Sequence, residues 1–83
     1  MRKQRNGWEI IMRILDTATI SVSVTDIMYE VRVPHAFLQK FSRQLTDKGL
    51  LAETVEGRFR TYVITQKGSK LLKHLKQVKR LLG

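Results

Sequence analysis

Apolar residues open the chain at the interval of one helical face: Trp8, Ile11, Met12 and Leu15. Ile10 and Ile14 widen that face, so this first helix is expected to be buried on more than one side. Asn6 is suited to cap its start, and the Thr17–Ser21 stretch, rich in β-branched residues, to end it. Next, Ser23-Val24-Thr25-Asp26 has the form of a capping box with Asp where Glu is usual. Val24, Ile27, Met28 and Val31 fall at i, i+3, i+4 and i+7 behind it, which predicts a short helix over 24–31. Pro34 disfavours helical geometry at Val33 and suits the first position of a third helix over 34–48. That helix is expected to turn Phe37, Leu38, Phe41 and Leu45 inward and to stop at Gly49.

The period then changes. Leu50–Thr54 and Phe59–Ile64 read as two strands, with residues 55–58 as the turn and Gly57 supplying its unusual backbone angle. Thr65 is placed to cap a last, amphipathic helix over 66–82. Along it Leu71, Leu75, Val78 and Leu82 follow heptad spacing, with Leu72 and Leu81 beside them. The expected order is α-α-α-β-β-α, an α+β domain over 8–83 preceded by a basic arm over 1–7.

Composition narrows the chemistry. Eighty-three residues make one domain with no room for a second core, and a hydrophobic share of 42% is enough to exclude wholesale disorder. The absence of cysteine removes disulfides, thiolate metal sites and thiol catalysis. Sixteen Lys and Arg stand against seven Asp and Glu, a net charge of +9 that favours a polyanionic partner. The excess is uneven. No acid comes after Glu56, while eight Lys and Arg do, and Arg2, Lys3 and Arg5 load the N-terminal arm. Glu9, Arg13 and Asp16 interrupt the apolar residues beyond that arm, so neither a secretory signal nor a membrane span is expected.

Catalytic chemistry finds no foothold. His35 and His74 are far apart in sequence and neither belongs to a zinc-type pair. Asp26 and Glu30, at i and i+4, are read as surface carboxylates rather than a cation site. There is no Gly-rich phosphate loop and no nucleophile with a base. The expectation is no enzyme activity, no metal, no cofactor and no small-molecule ligand.

Two segments carry a resemblance. Leu45-Thr46-Asp47-Lys48-Gly49-Leu50-Leu51 resembles the L-x-x-K-G-L-[IL] end of a recognition helix. Tyr62-Val63-Ile64-Thr65-Gln66-Lys67-Gly68 resembles the Y-x-[IL]-T-x-K-G junction between wing and last helix. Both patterns occur in small archaeal and other prokaryotic winged helix-turn-helix proteins, and the likeness spans about residues 8–82. It implies a double-stranded DNA-binding protein, a sequence-preferring transcriptional regulator in the cytoplasm, associated with the nucleoid in a prokaryote. It also implies helix 34–48 in the major groove and the 55–58 wing on the backbone. Some archaeal relatives dimerise through a much longer C-terminal coiled coil. Here the stripe Leu71, Leu75, Val78 and Leu82 is the candidate homodimer contact, or it closes the domain's own core.

Within that frame His35, Ala36, Gln39, Lys40 and Arg43 are the outward residues of the third helix. Arg43 suits guanine, Gln39 suits adenine, and Lys40 suits phosphate or guanine. No acid occurs from Val31 to Thr46, unlike an ordinary solvated face of mixed sign. Phe37 is assigned to the core, with contact to a thymine methyl as the alternative. Arg58 and Arg60 flank the wing tip and would reach the backbone or a minor groove, or else keep an edge strand soluble. Glu53 and Glu56 dilute the charge of that hairpin. Lys70, Lys73, Lys76, Lys79 and Arg80 form the polar arc of the last helix, whose lack of Trp and Phe argues against a membrane surface. An architectural chromatin-type protein, a winged-helix protein-interaction adaptor and an RNA binder remain as alternatives.

Overall fold

α1 (Gly7–Thr17) is the first element of the computed structural model, which describes residues 7–82. The arm residues Arg2, Lys3 and Arg5, and the cap expected at Asn6, lie outside that range. Ile14 and Leu15 on α1 are fully buried and Met12 nearly so, while Trp8, Ile10 and Ile11 pack half-buried around them. α2 (Val24–Val31) starts with both halves of a capping box. Asp26 N–H donates to Ser23 Oγ at 3.2 Å, and Ser23 N–H donates to Asp26 Oδ2 at 3.4 Å. It stops where Arg32 turns left-handed at φ 58°, its amide donating to the Met28 carbonyl at 2.9 Å.

Pro34 precedes the third helix instead of opening it: α3 spans His35–Asp47, and the Pro34 carbonyl accepts its first bond, from Leu38 N–H at 3.0 Å. Leu38, Ser42 and Leu45 are buried along α3 and Phe41 is half-buried. The core assignment of Phe37 is corrected, because that ring is 54% exposed. At about 100° per residue, Phe37 lies well round the helix from Leu38, and Ser42 completes the inner stripe in its place.

Three strands form the sheet, one more than the sequence pattern predicts. β1 (Val22–Ser23), β2 (Leu51–Glu56) and β3 (Phe59–Ile64) are antiparallel in the order β1-β3-β2. Glu56 pairs with Phe59, so the turn is the two residues Gly57 and Arg58 and β2 runs two residues beyond its expected end. Gly57 has φ +60° and Arg58 does not share the positive sign, the pattern of a type II′ turn with glycine first. Ser23 pairs with Thr61 on β3 while also capping α2. The sheet is tied to the end of α1 as well, through Ile64 N–H donating at 2.7 Å to the carbonyl of Ala18, the residue that follows the helix.

The two segments that carried the resemblance meet where α4 (Gln66–Leu82) begins. Thr65 N–H donates to the Leu50 carbonyl at 3.1 Å and Thr65 Oγ donates to the Gly49 carbonyl. That hydroxyl also accepts from Gly68 N–H at 3.0 Å and so caps α4. Lys67 Nζ adds a bond to the Lys48 carbonyl at 2.8 Å. These contacts fix where α3 ends relative to where α4 starts.

Burial divides the leucine stripe of α4. Leu72 is buried, and Leu71 and Leu75 are half-buried against the core. Val78, Leu81 and Leu82 are 39%, 85% and 74% exposed. The expected four-residue dimer stripe is therefore two features: Leu71 and Leu75 help close the domain's own core, and only Val78 and Leu82 stand free of it. α4 packs across α1, with Lys76 Nζ 3.1 Å from Asp16 Oδ1. Among the described residues no helix is long and apolar enough to cross a membrane.

Candidate nucleic-acid interface

The outward stripe of α3 is set by its inner one. With Leu38, Ser42 and Leu45 facing the core, Ala36, Gln39, Lys40 and Arg43 share the opposite face at helical spacing. The hairpin stands across from them. Ala36, Gln39, Lys40 and Arg43 line one wall of an open groove of about 640 Å³, and Glu53, Arg60 and Tyr62 line the other. A second depression of about 310 Å³, beside the start of α2, is lined by His35 and Gln39 from α3 and by Arg58 and Arg60 from the hairpin. The seven residues named on the third helix and the wing thus line two adjoining depressions, which share Gln39, Arg60 and Tyr62.

The hairpin wall holds a small polar network. Glu53 and Tyr62 are cross-strand partners, so their side chains share a face. Tyr62 O–H donates to Glu53 Oε2 at 2.8 Å, and Arg60 Nε lies 3.5 Å from the same oxygen. The Tyr62 ring is only 5% exposed. Burial, then the hydrogen bond and charge of Glu53, raises the Tyr62 phenol above its ordinary value, with Arg60 opposing. Arg60 and Glu53 remain partly solvated, so their attraction is weak and an incoming anion competes for the guanidinium. Arg58, in the turn, is exposed.

Sequence reasoning did not place five residues on this surface: Gln44, Thr46, Asp47, Glu53 and Tyr62. Asp47 continues the stripe one turn beyond Arg43, a signal available from spacing alone. Glu53 and Tyr62 were hidden by the turn, because a four-residue loop over 55–58 leaves the strand register open. Below the groove Ser42 Oγ is buried without a hydrogen-bond partner. Among the described residues no group of three or more His, Asp or Glu is arranged to hold a metal. Asp26 is already engaged in capping α2.

Comparison with solved structures gives the fold independent support. Sso10a-2, a DNA-binding protein from Sulfolobus solfataricus, superposes with a TM-score of 0.89 at 27% identity, over 93% of this chain and 81% of that one. The transcriptional regulator BldR, also from Sulfolobus solfataricus, gives 0.82 at 23% identity, over 89% of this chain and 56% of that one. A search of curated proteins finds no match. The winged helix-turn-helix family profile matches residues 4–83, from ahead of α1 to beyond α4. With that match and the groove between helix and hairpin, the chain belongs to the winged helix-turn-helix family.

Proposed function

We propose that the protein binds double-stranded DNA and acts as a sequence-preferring transcriptional regulator. The observation that carries this reading is the groove itself: Gln39, Lys40 and Arg43 on one wall, Arg58 and Arg60 at the other. In the proposed complex α3 lies in the major groove, where Gln39 and Arg43 meet base edges and Lys40 meets phosphate or guanine. The hairpin tip rests on the backbone, and the arm with Arg2, Lys3 and Arg5 adds phosphate contacts. The DNA-binding and regulatory descriptions of Sso10a-2 and BldR support the same reading. It carries with it a cytoplasmic location, at the nucleoid in a prokaryote.

The protein acts as a homodimer through the distal part of α4. Val78 and Leu82 are exposed apolar residues on a small domain that gains from further burial.

Selection from random duplex DNA, and then titration of the selected and a scrambled site, tests the function. Preference for the selected site by a factor of about 10³ or more is expected of a regulator. Equal affinity for both makes the protein architectural. Failure to bind any duplex at low salt removes the proposal and leaves the adaptor reading, and stronger binding to RNA in direct competition redirects it.

A further inference from the structure

Away from the DNA-facing groove, the end of α1 and the outer face of α2 enclose a shallow depression of about 540 Å³. Its character is opposite to that of the chain. Asp16, Asp26 and Glu30 line it, three of the chain's seven acidic residues, with Asp16 paired to Lys76 of α4 and Asp26 also capping α2. Between them stand two large apolar side chains, Ile20 at 71% exposed and Tyr29 at 78%. An acidic rim around exposed apolar groups calls for a partner that is apolar at its centre and basic around it.

The distal end of α4 has that composition. Leu81 and Leu82 are 85% and 74% exposed there, beside Lys79 and Arg80. Being so exposed, these leucines do not rest in the depression of their own chain. Yet α4 runs close to it, since Lys76 Nζ lies 3.1 Å from Asp16 Oδ1 on its rim. Tip and depression therefore lie near one another on the same molecule. Contacts of this kind between copies close into a dimer when one two-fold axis relates both, and run on as a fibre when it does not. Proximity of the two patches permits the closed arrangement.

We propose that the homodimer closes by reciprocal docking, each copy seating the end of its α4 in the Ile20–Tyr29 depression of the other. Leu81 and Leu82 cover Ile20 and Tyr29, and Lys79 and Arg80 face Glu30 and Asp26. Tyr29 offers a ring face to a cation. This inference rests on the homodimer reading above and names the surface that receives α4.

A charge exchange tests it on the full chain by sedimentation velocity and native mass spectrometry. Tyr29→Lys with Glu30→Lys makes the depression basic, and Lys79→Glu with Arg80→Glu makes the tip acidic. Each variant alone sets like charges against like and is expected to weaken self-association by about tenfold or more. Mixed in equal amounts they match at both contacts, and a one-to-one heterodimer should return. Recovery on mixing also shows that both variants are folded, and Ile20→Ser offers a milder second variant with the same expected weakening. Wild-type-like dimerisation of the depression variants overturns the docking proposal while leaving the homodimer intact. A mixture that stays monomeric overturns it too, and growth into open-ended oligomers overturns the closed form. A wild-type protein that is monomeric at every concentration removes the homodimer reading itself.

Discussion

Gly68 passes against the Leu50 carbonyl so closely that a Cβ on it would overlap that oxygen and press on Ile64 Cγ1 at 2.8 Å. Two of the three atoms concerned are backbone, which cannot rotate away. Gly68→Ala is therefore expected to destabilise the fold by about 3 kcal/mol. Urea denaturation measures this directly, and a loss under about 1 kcal/mol would mean that α4 slides to make room. Such a loss takes a large share of the total stability of an 83-residue domain.

On α3, Arg43→Ala and Gln39→Ala should each reduce preference for the selected site by about 1–3 kcal/mol, with smaller effects on random duplex. Paired titrations on the two DNAs provide the check. Equal losses on both would mean that these side chains touch only phosphate.

Affinity should fall steeply with salt. With six phosphates neutralised, the slope of log K against log salt is expected near about −5. Replacing Arg58 and Arg60 together by Ala should flatten it by roughly one to two units. Glu53→Gln should steepen it, because Arg60 then faces phosphate without a carboxylate beside it. Lys70 and Lys73 on α4 are the control, and Lys76 is unsuited to that purpose because it pairs with Asp16. If Lys70 and Lys73 dominate the slope while the hairpin arginines leave it unchanged, the duplex lies on another face.

The divided stripe of α4 predicts two different outcomes from one type of change. Val78→Glu should weaken dimerisation while leaving the thermal midpoint of the monomer nearly unchanged, since Val78 is 39% exposed. Leu75→Glu places a charge against the domain's own core and should destabilise the monomer by about 2–4 kcal/mol. Sedimentation and thermal melts on both variants separate the two effects, and identical behaviour would show that α4 has a single role.

Tyr62 sets an alkaline limit. Its phenol is held above the ordinary 10.0, so the folded state keeps the proton more tightly than the unfolded chain does. That contribution is fully present below pH 10.0 and is lost as pH rises through the raised value. Stability against pH should fall more steeply above that point for the wild type than for Tyr62→Phe. Parallel curves would mean that the phenol is not perturbed.

The helices were legible because each carries an apolar stripe long enough to show its period, and α2, α3 and α4 also have a punctuating residue at one end at least. Ser23, Pro34, Gly49 and Thr65 mark those ends in the sequence, each for a local steric or hydrogen-bonding reason. Phe37 was misplaced because a hydrophobic residue next to a stripe is indistinguishable from one within it until Ser42 is seen to fill the inner position. β1 was invisible for a different reason. Two residues cannot display an alternation, and Val22 and Ser23 are a strand only because β3 lies beside them. The outward face of α3 could be found by subtraction from its core face. Glu53 and Tyr62 could not, since their partnership depends on a register that only the two-residue turn at Gly57 and Arg58 establishes.

Ser23 belongs to two structures at once, and this ties their movements together. It pairs with Thr61 on the hairpin, and its hydroxyl receives the amide of Asp26, the third residue of α2. Tilting the hairpin away from β1 strains both its pairing with Val22 and Ser23 and the opening turn of α2 that Ser23 caps. Wing and helix pair are therefore coupled like two arms of one lever, whose pivot is the short strand Val22–Ser23.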